Sequence, residues 1–235
     1  MPRHKFGTGD NMNRSFGIAA KLALAIALFA LPVGFTIYKL YESQQIAIDF
    51  GDKEAQGNFY LGQLRQAHGA LLDGGDKTAI ADTITRAESA YGDGMQSAEL
   101  AAAAVTAVKG DDALAAAAAI RALITRVGDK SNLILDPDLD SYYVMDLVLL
   151  KVPDLMDRVQ EIAAYAHEHA AAPAGGYSIN DVAGLLKLDG GFKSVVAGAA
   201  GSLDSAYNGS KDNINGLADI LPDRLGASYE AMTKA

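Results

Sequence analysis

The sequence predicts an all-α protein, an N-terminal transmembrane helix followed by an antiparallel helical bundle. Three observations carry that expectation. Residues Leu22–Tyr38, LALAIALFALPVGFTIY, run for 17 residues without a charge. Alanine, the strongest helix former, recurs in runs such as Ala101–Ala104 and Ala115–Ala119. No segment shows the period-two alternation between turn residues that marks a half-buried strand.

Three regions follow from this pattern: residues 1–15 as a cytoplasmic tail, 16–38 as the membrane helix and 39–235 as a periplasmic helical bundle. The apolar run is close to the ~20 residues that a bilayer core requires. Lys21 lies near its start, where a long side chain reaches the headgroups, and Pro32 is tolerated because membrane helices accommodate proline. Arg3, Lys5, Arg14 and Lys21 precede the run, which places the N-terminus in the cytoplasm and the body outside the inner membrane. No small-x-small cleavage site follows, and Ile37–Tyr41 leads directly into a polar helical stretch. An uncut anchor is therefore expected in preference to a signal peptide.

Charge separates the same regions. Through Lys39 the chain carries five basic residues and one acidic, leaving 15 and 28 of its 20 basic and 29 acidic residues for the body. So acidic a body lacks the clustered Lys and Arg that nucleic acid requires. Cysteine is absent, which excludes disulfides and thiolate chemistry.

Apolar steps of three and four toward Leu72 predict a helix from about Tyr41, stopped by Asp73-Gly74-Gly75 with Asp76 as the next cap. Further helices are expected at Lys77–Ala90, Ser97–Val108, and onward to about Lys130 beyond the Lys109–Asp112 interruption. Asp136-Pro137 then reads as N-cap and first helical residue, with Asp138 and Asp140 placed favourably for the helix dipole. Val144, Val148, Val152, Leu155, Val159, Ile162 and Ala166 trace a seam facing a partner helix. Pro173–Gly176 ends this element, and Ser178 caps another that Asn208-Gly209-Ser210 is expected to interrupt. Short loops between helices favour antiparallel neighbours.

Residues 131–146, SNLILDPDLDSYYVMD, followed by LVLLKVPDLMDRV, carry a resemblance. The segment resembles one in the extracytoplasmic region of bacterial methyl-accepting chemotaxis receptors and related membrane sensor kinases, which read much like SNL-LDPDLDSYYLMD. The match covers about thirty residues. It implies a homodimer whose periplasmic sensory domain detects a small-molecule or protein stimulus and relays it by helix displacement. It also implies a second membrane helix, a HAMP relay and a signalling coiled coil, through which a chemotaxis kinase and coupling protein would act. None of these is found before Ala235, so a truncated receptor or a stand-alone relative is expected. The same input region could serve a histidine kinase or nucleotide cyclase, or the chain could be an envelope adaptor without a ligand.

Candidate chemistry is sparse. Asp136, Asp138 and Asp140 imitate the start of a calcium loop, but Ser141 and Leu147 stand where glycine and glutamate are needed, so helix capping is the better account. Tyr142 and Tyr143 either line a ligand pocket with Arg121 or Arg126, whose guanidinium groups suit a carboxylate, or pack in the core with a hydroxyl on a nearby aspartate. His167 and His169 diverge by ~200° on a helix and cannot share a metal well; they oppose the negative end of the dipole or face solvent. His68 stands alone in the sequence. Asp-Gly-Gly at 73–75 and 189–191 reads as turn chemistry. With no GxSxG, HExxH, P-loop or nucleotide fingerprint, no catalytic residue, metal or cofactor is expected.

Overall fold

A computed structural model describes residues 17–135, 139–171 and 176–211. These residues form α-helices α1 (Ile18–Leu72), α2 (Lys77–Tyr91), α3 (Ala98–Lys109), α4 (Ala113–Lys130), α5 (Leu139–Asp146), α6 (Val152–Glu168) and α7 (Ile179–Lys211), with no strand among them. A short 3-10 turn covers Leu133–Leu135, and a π-helical segment, Leu147–Lys151, joins α5 to α6. The all-α expectation holds. The proposed caps Asp136, Pro137 and Asp138 lie outside the described residues, whereas Asp76 and Asp112 cap α2 and α4 by accepting the N–H groups of Thr78 and Ala115.

The chain divides into two compact units, ending and beginning at Asp49 and Phe50. In the first, α1 presents Leu22, Leu24, Phe29, Leu31, Phe35 and Ile37 more than half exposed. This stretch is long and apolar enough to cross a membrane; Ile18–Tyr38 at ~1.5 Å per residue spans about 30 Å. Pro32 sits inside the helix, and Thr36 Oγ1 donates to its carbonyl at 2.8 Å.

The second unit holds the core. Tyr60, Leu64, Ala67 and Leu71 on α1 share it with Ile80 and Ile84 of α2, Ala104 and Val108 of α3, and Ile120, Ile124 and Val127 of α4. Buried alanines on α3 and α4 let these helices pack closely. Tyr60 and Ser97 donate hydroxyl protons to one Glu88 carboxylate at 2.5 and 2.7 Å, tying α1 and α2 to the start of α3. Burial first, then the hydrogen bond to Glu88 and its charge, pushes the Tyr60 phenol far above its ordinary pKa and keeps it a donor.

The π segment has a local cause. Pro153 lacks an N–H, and its ring would clash with the carbonyl four residues back in a regular α-helix. The backbone widens just before it: the Val152 N–H bonds to the Leu147 carbonyl, five residues back. This re-registration alters the seam expected from sequence. Val152 and Val159 remain over a third exposed, while Met145, Leu149 and Pro153 are the buried positions.

α7 runs back antiparallel along α6 and α5 and corrects two readings of glycine. Asn208–Ser210 does not interrupt it, and Asp189-Gly190-Gly191 is helical rather than a turn. Glycines along α7 approach neighbouring elements to different degrees, with Gly184 and Gly209 the close ones. A Cβ at Gly184, Gly191 or Gly198 would stand 2.7 Å from the Tyr165 hydroxyl, 3.9 Å from Arg158 Cδ and 3.7 Å from Lys151 Cε respectively. Both sets of positions repeat every seven residues, so a small-residue stripe on α7 faces three large side chains. At Gly209 a Cβ would come within 3.3 Å of the Asp140 backbone nitrogen. Near the same end, the Ser202 hydroxyl donates to the Asp146 carboxylate at 2.5 Å.

Candidate functional site

The residues grouped by the sequence go to different partners. Arg121 donates to Asp157 at 2.7 Å and lies 3.7 Å from Asp154, linking α4 to α6. Arg126 donates to the Gln96 carbonyl between α2 and α3 at 2.9 Å. Tyr142 and Tyr143 meet each other edge to face, ring centroids 5.4 Å apart, with Tyr142 exposed. Asp140 is buried, and its carboxylate accepts the Ser141 N–H at 2.9 Å. Both arginines are thus committed to bundle contacts. The motif helix borders a small cavity of about 190 Å³ walled mainly by Leu61, Val144, Met145 and Val148.

A larger cavity, about 410 Å³, opens between the last turns of α6 and the first turns of α7. Ala166, Ala170, Val182 and Leu185 form its apolar wall; Tyr165, His169, Tyr177 and Asp181 bring the polar groups. A concave, largely apolar space with few convergent polar groups is the usual form of a small-molecule site.

The local sequence explains how those groups are held. Ser178 and Asp181 form a reciprocal cap at the start of α7: Asp181 Oδ2 accepts the Ser178 N–H at 2.7 Å, and Ser178 Oγ accepts the Asp181 N–H at 3.2 Å. The Ser178 backbone N–H, then its hydroxyl, holds the Asp181 carboxyl below its ordinary pKa, with His169 a smaller influence. Gly184 leaves space for Tyr165, whose hydroxyl donates to the Asp181 carbonyl at 2.5 Å. Burial, followed by the charges of Asp181 and Glu168, raises the Tyr165 pKa, so this donor stays protonated. Tyr177 donates to the His169 carbonyl at 2.9 Å.

His169 stacks on Tyr165 with centroids 4.0 Å apart. Its Nδ1 is 2.9 Å from the Tyr165 carbonyl, which can only accept, so Nδ1 carries a proton. Nε2 lies 3.6 Å from Asp181 Oδ1. The expectation that His169 opposes the dipole end of α6 fits its bond to a last-turn carbonyl; its second nitrogen turns toward α7. Sequence reasoning missed this arrangement because the partners belong to different helices. The available signal was Ser178-x-x-Asp181, a capping pattern next to Tyr177.

A second histidine–aspartate pair also escaped the sequence reading. His68 of α1 is 1% exposed, and its Nε2 lies 3.3 Å from Asp157 Oδ1, misaligned for a hydrogen bond. Asp157 belongs to the ion network that continues through Arg121 and Asp154 to Arg158 and Glu161. Comparison with family models, curated proteins and solved structures finds no match to this chain.

Proposed function

We propose that this chain is the membrane anchor and extracytoplasmic ligand-sensing region of a bacterial transmembrane receptor of the chemoreceptor kind. In this reading it is a homodimer in the inner membrane, with its N-terminus in the cytoplasm. One observation carries the reading: a single helix, α1, holds both the exposed apolar stretch and, beyond Phe50, the buried face Tyr60, Leu64, Ala67 and Leu71. A ligand that favours one arrangement of the helices around that face biases the element that enters the membrane. One that binds both arrangements equally shifts nothing. The 131–146 segment and the cavity between α6 and α7 add support.

The absence of cysteine makes the topology directly testable. Single cysteines at Arg3→Cys and Lys187→Cys, probed on intact cells with an impermeant maleimide, should label at 187 and stay silent at 3. Labelling at 3, or a mature chain beginning beyond Tyr38, would overturn the anchor. Fused ahead of a chemoreceptor's cytoplasmic half, residues 1–235 should confer a stimulus response that deletion of 131–146 abolishes. A response unchanged by the deletion counts against sensing through that segment.

A further inference from the structure

We infer that His169 and Asp181 form a proton-operated latch between the end of α6 and the start of α7. A proton bound at His169 Nε2 draws the two helices together beside the cavity they line, and its loss releases them. The latch is a property of these two helices; its role in regulating the proposed sensing site rests on that reading.

The fixed ring makes the contact a switch. The Tyr165 carbonyl accepts from His169 Nδ1 at 2.9 Å, so the first ring proton stays there. A singly protonated ring turns a bare Nε2 toward Asp181 Oδ1, 3.6 Å away, with no hydrogen to share. A second proton, on Nε2, converts the same contact into a charged donor facing a carboxylate. Both ends are held in place. Asp181 Oδ2 accepts the Ser178 N–H at 2.7 Å, and Tyr165 stacks on the imidazole with centroids 4.0 Å apart.

The surrounding charges give the switch its sign. On α6, Glu168 adjoins His169, while His167 diverges from it by ~200° around the helix. His169 is also the C-cap of α6, where the carbonyl end of the helix attracts a cation. The Tyr165 and Tyr177 hydroxyls are both engaged on backbone carbonyls. α4, which also packs on α6, brings Arg121 to Asp157, more than three turns before His169. On α7 the facing group is Asp181, whose Ser178 bonds hold its carboxyl below the ordinary pKa and keep it charged while histidine titrates. A charged imidazole therefore meets mainly negative neighbours. The attraction is present in mild acid and is lost as pH rises through the range where histidine discharges.

The test uses the full chain in nanodiscs with spin labels on Ala163→Cys in α6 and Ala183→Cys in α7. Both positions are exposed, and the chain has no cysteine of its own. From about pH 8.5 to about pH 5.5, a span that charges histidine, the distance between labels should shorten and its distribution narrow. A change of about 1–2 Å is expected, the size of helix shifts in switching interfaces. His169→Gln and Asp181→Asn should each abolish the shift, and His167→Gln should retain it, with helicity unchanged in all three. A wild-type distance indifferent to pH overturns the inference, as does a shift that survives either latch substitution or vanishes in His167→Gln. The hybrid receptor separates this result from the sensory reading. A hybrid that responds to its stimulus while the labelled chain shows no shift sinks the latch alone; a shift in the chain with an unresponsive hybrid sinks the sensory role alone.

Discussion

Two histidine–aspartate pairs lie in the same helical unit under opposite conditions. His68 and Asp157 join α1 to α6, with the imidazole 1% and the carboxylate 25% exposed; His169 and Asp181 join α6 to α7, both about a quarter exposed, so the two pairs differ in the burial of the imidazole. The interatomic distances, 3.3 and 3.6 Å, hardly differ. Their surroundings do. Asp157 also holds Arg121, and neither nitrogen of His68 makes a hydrogen bond among the described residues. Asp181 is capped by backbone and stands at a cavity mouth. The enclosed imidazole of His68 fixes helices together, whereas the second pair borders a cavity. Side-chain identity and separation alone therefore do not distinguish a bolt from a site.

Removing the shared carboxylate of the sealed pair should produce the largest effect. Asp157→Ala leaves Arg121 and His68 without their nearest negative charge. A loss of about 3 kcal/mol is expected, at the lower end of values for breaking buried ion pairs because Arg121 is about a quarter exposed. Chemical denaturation followed by helicity measures it. His68→Leu should behave differently and stay within about 1 kcal/mol of wild type, since an apolar group replaces two unbonded polar nitrogens. A large loss in His68→Leu would mean that the imidazole contributes attraction beyond its shape, and the contrast between the two pairs would weaken.

The same substitution at two glycines should then act in opposite directions. A Cβ on Gly57 would collide with Cβ and Oγ of Ser131, on the turn that follows α4, so Gly57→Ala must displace backbone. About 2 kcal/mol of destabilisation is expected from such overpacking. At Gly191, beside the open half of α7, the nearest atom is Arg158 Cδ at 3.9 Å, ordinary contact. There the helix propensity of alanine should dominate and stabilise by up to about 1 kcal/mol. Thermal unfolding of both variants distinguishes the outcomes; a destabilised Gly191→Ala would show that α7 lies closer to α6 than this geometry allows.

How much of this was legible in sequence depends on the range of the forces involved. Helix starts governed by neighbouring residues, such as Asp76 and Asp112, were readable because cap and N–H are two or three positions apart. The uncharged run to Tyr38 was equally plain. Glycines misled, since Asp189-Gly190-Gly191 has turn composition yet is helical where α7 packs against α6 and Lys193 pairs with Asp189 at 2.8 Å. Tertiary contact there overrides a local preference of about 1 kcal/mol per glycine. The heptad Gly184, Gly191, Gly198 could have revealed the packing face. The two histidine pairs were not readable, because each joins residues whose proximity arises only when helices dock; the divergence of Arg121 and Arg126 was readable, since five residues on one helix place them about 140° apart.

The smallest expected effect concerns acid. Asp181 has a folded pKa below its ordinary value, through the Ser178 bonds first, so its ionised form is favoured by folding. Such a group contributes stability in full above the unfolded pKa of about 4 and loses it as pH falls through the lower native value. The amide introduced by Asp181→Asn keeps an oxygen for the Ser178 N–H but no charge, approximating the protonated state at every pH. Thermal midpoints of wild type and variant should therefore differ from neutral pH down to about 4 and converge below it. A margin that persists into stronger acid would assign the difference to side-chain geometry, and the charge at the cavity mouth would no longer separate the open pair from the sealed one.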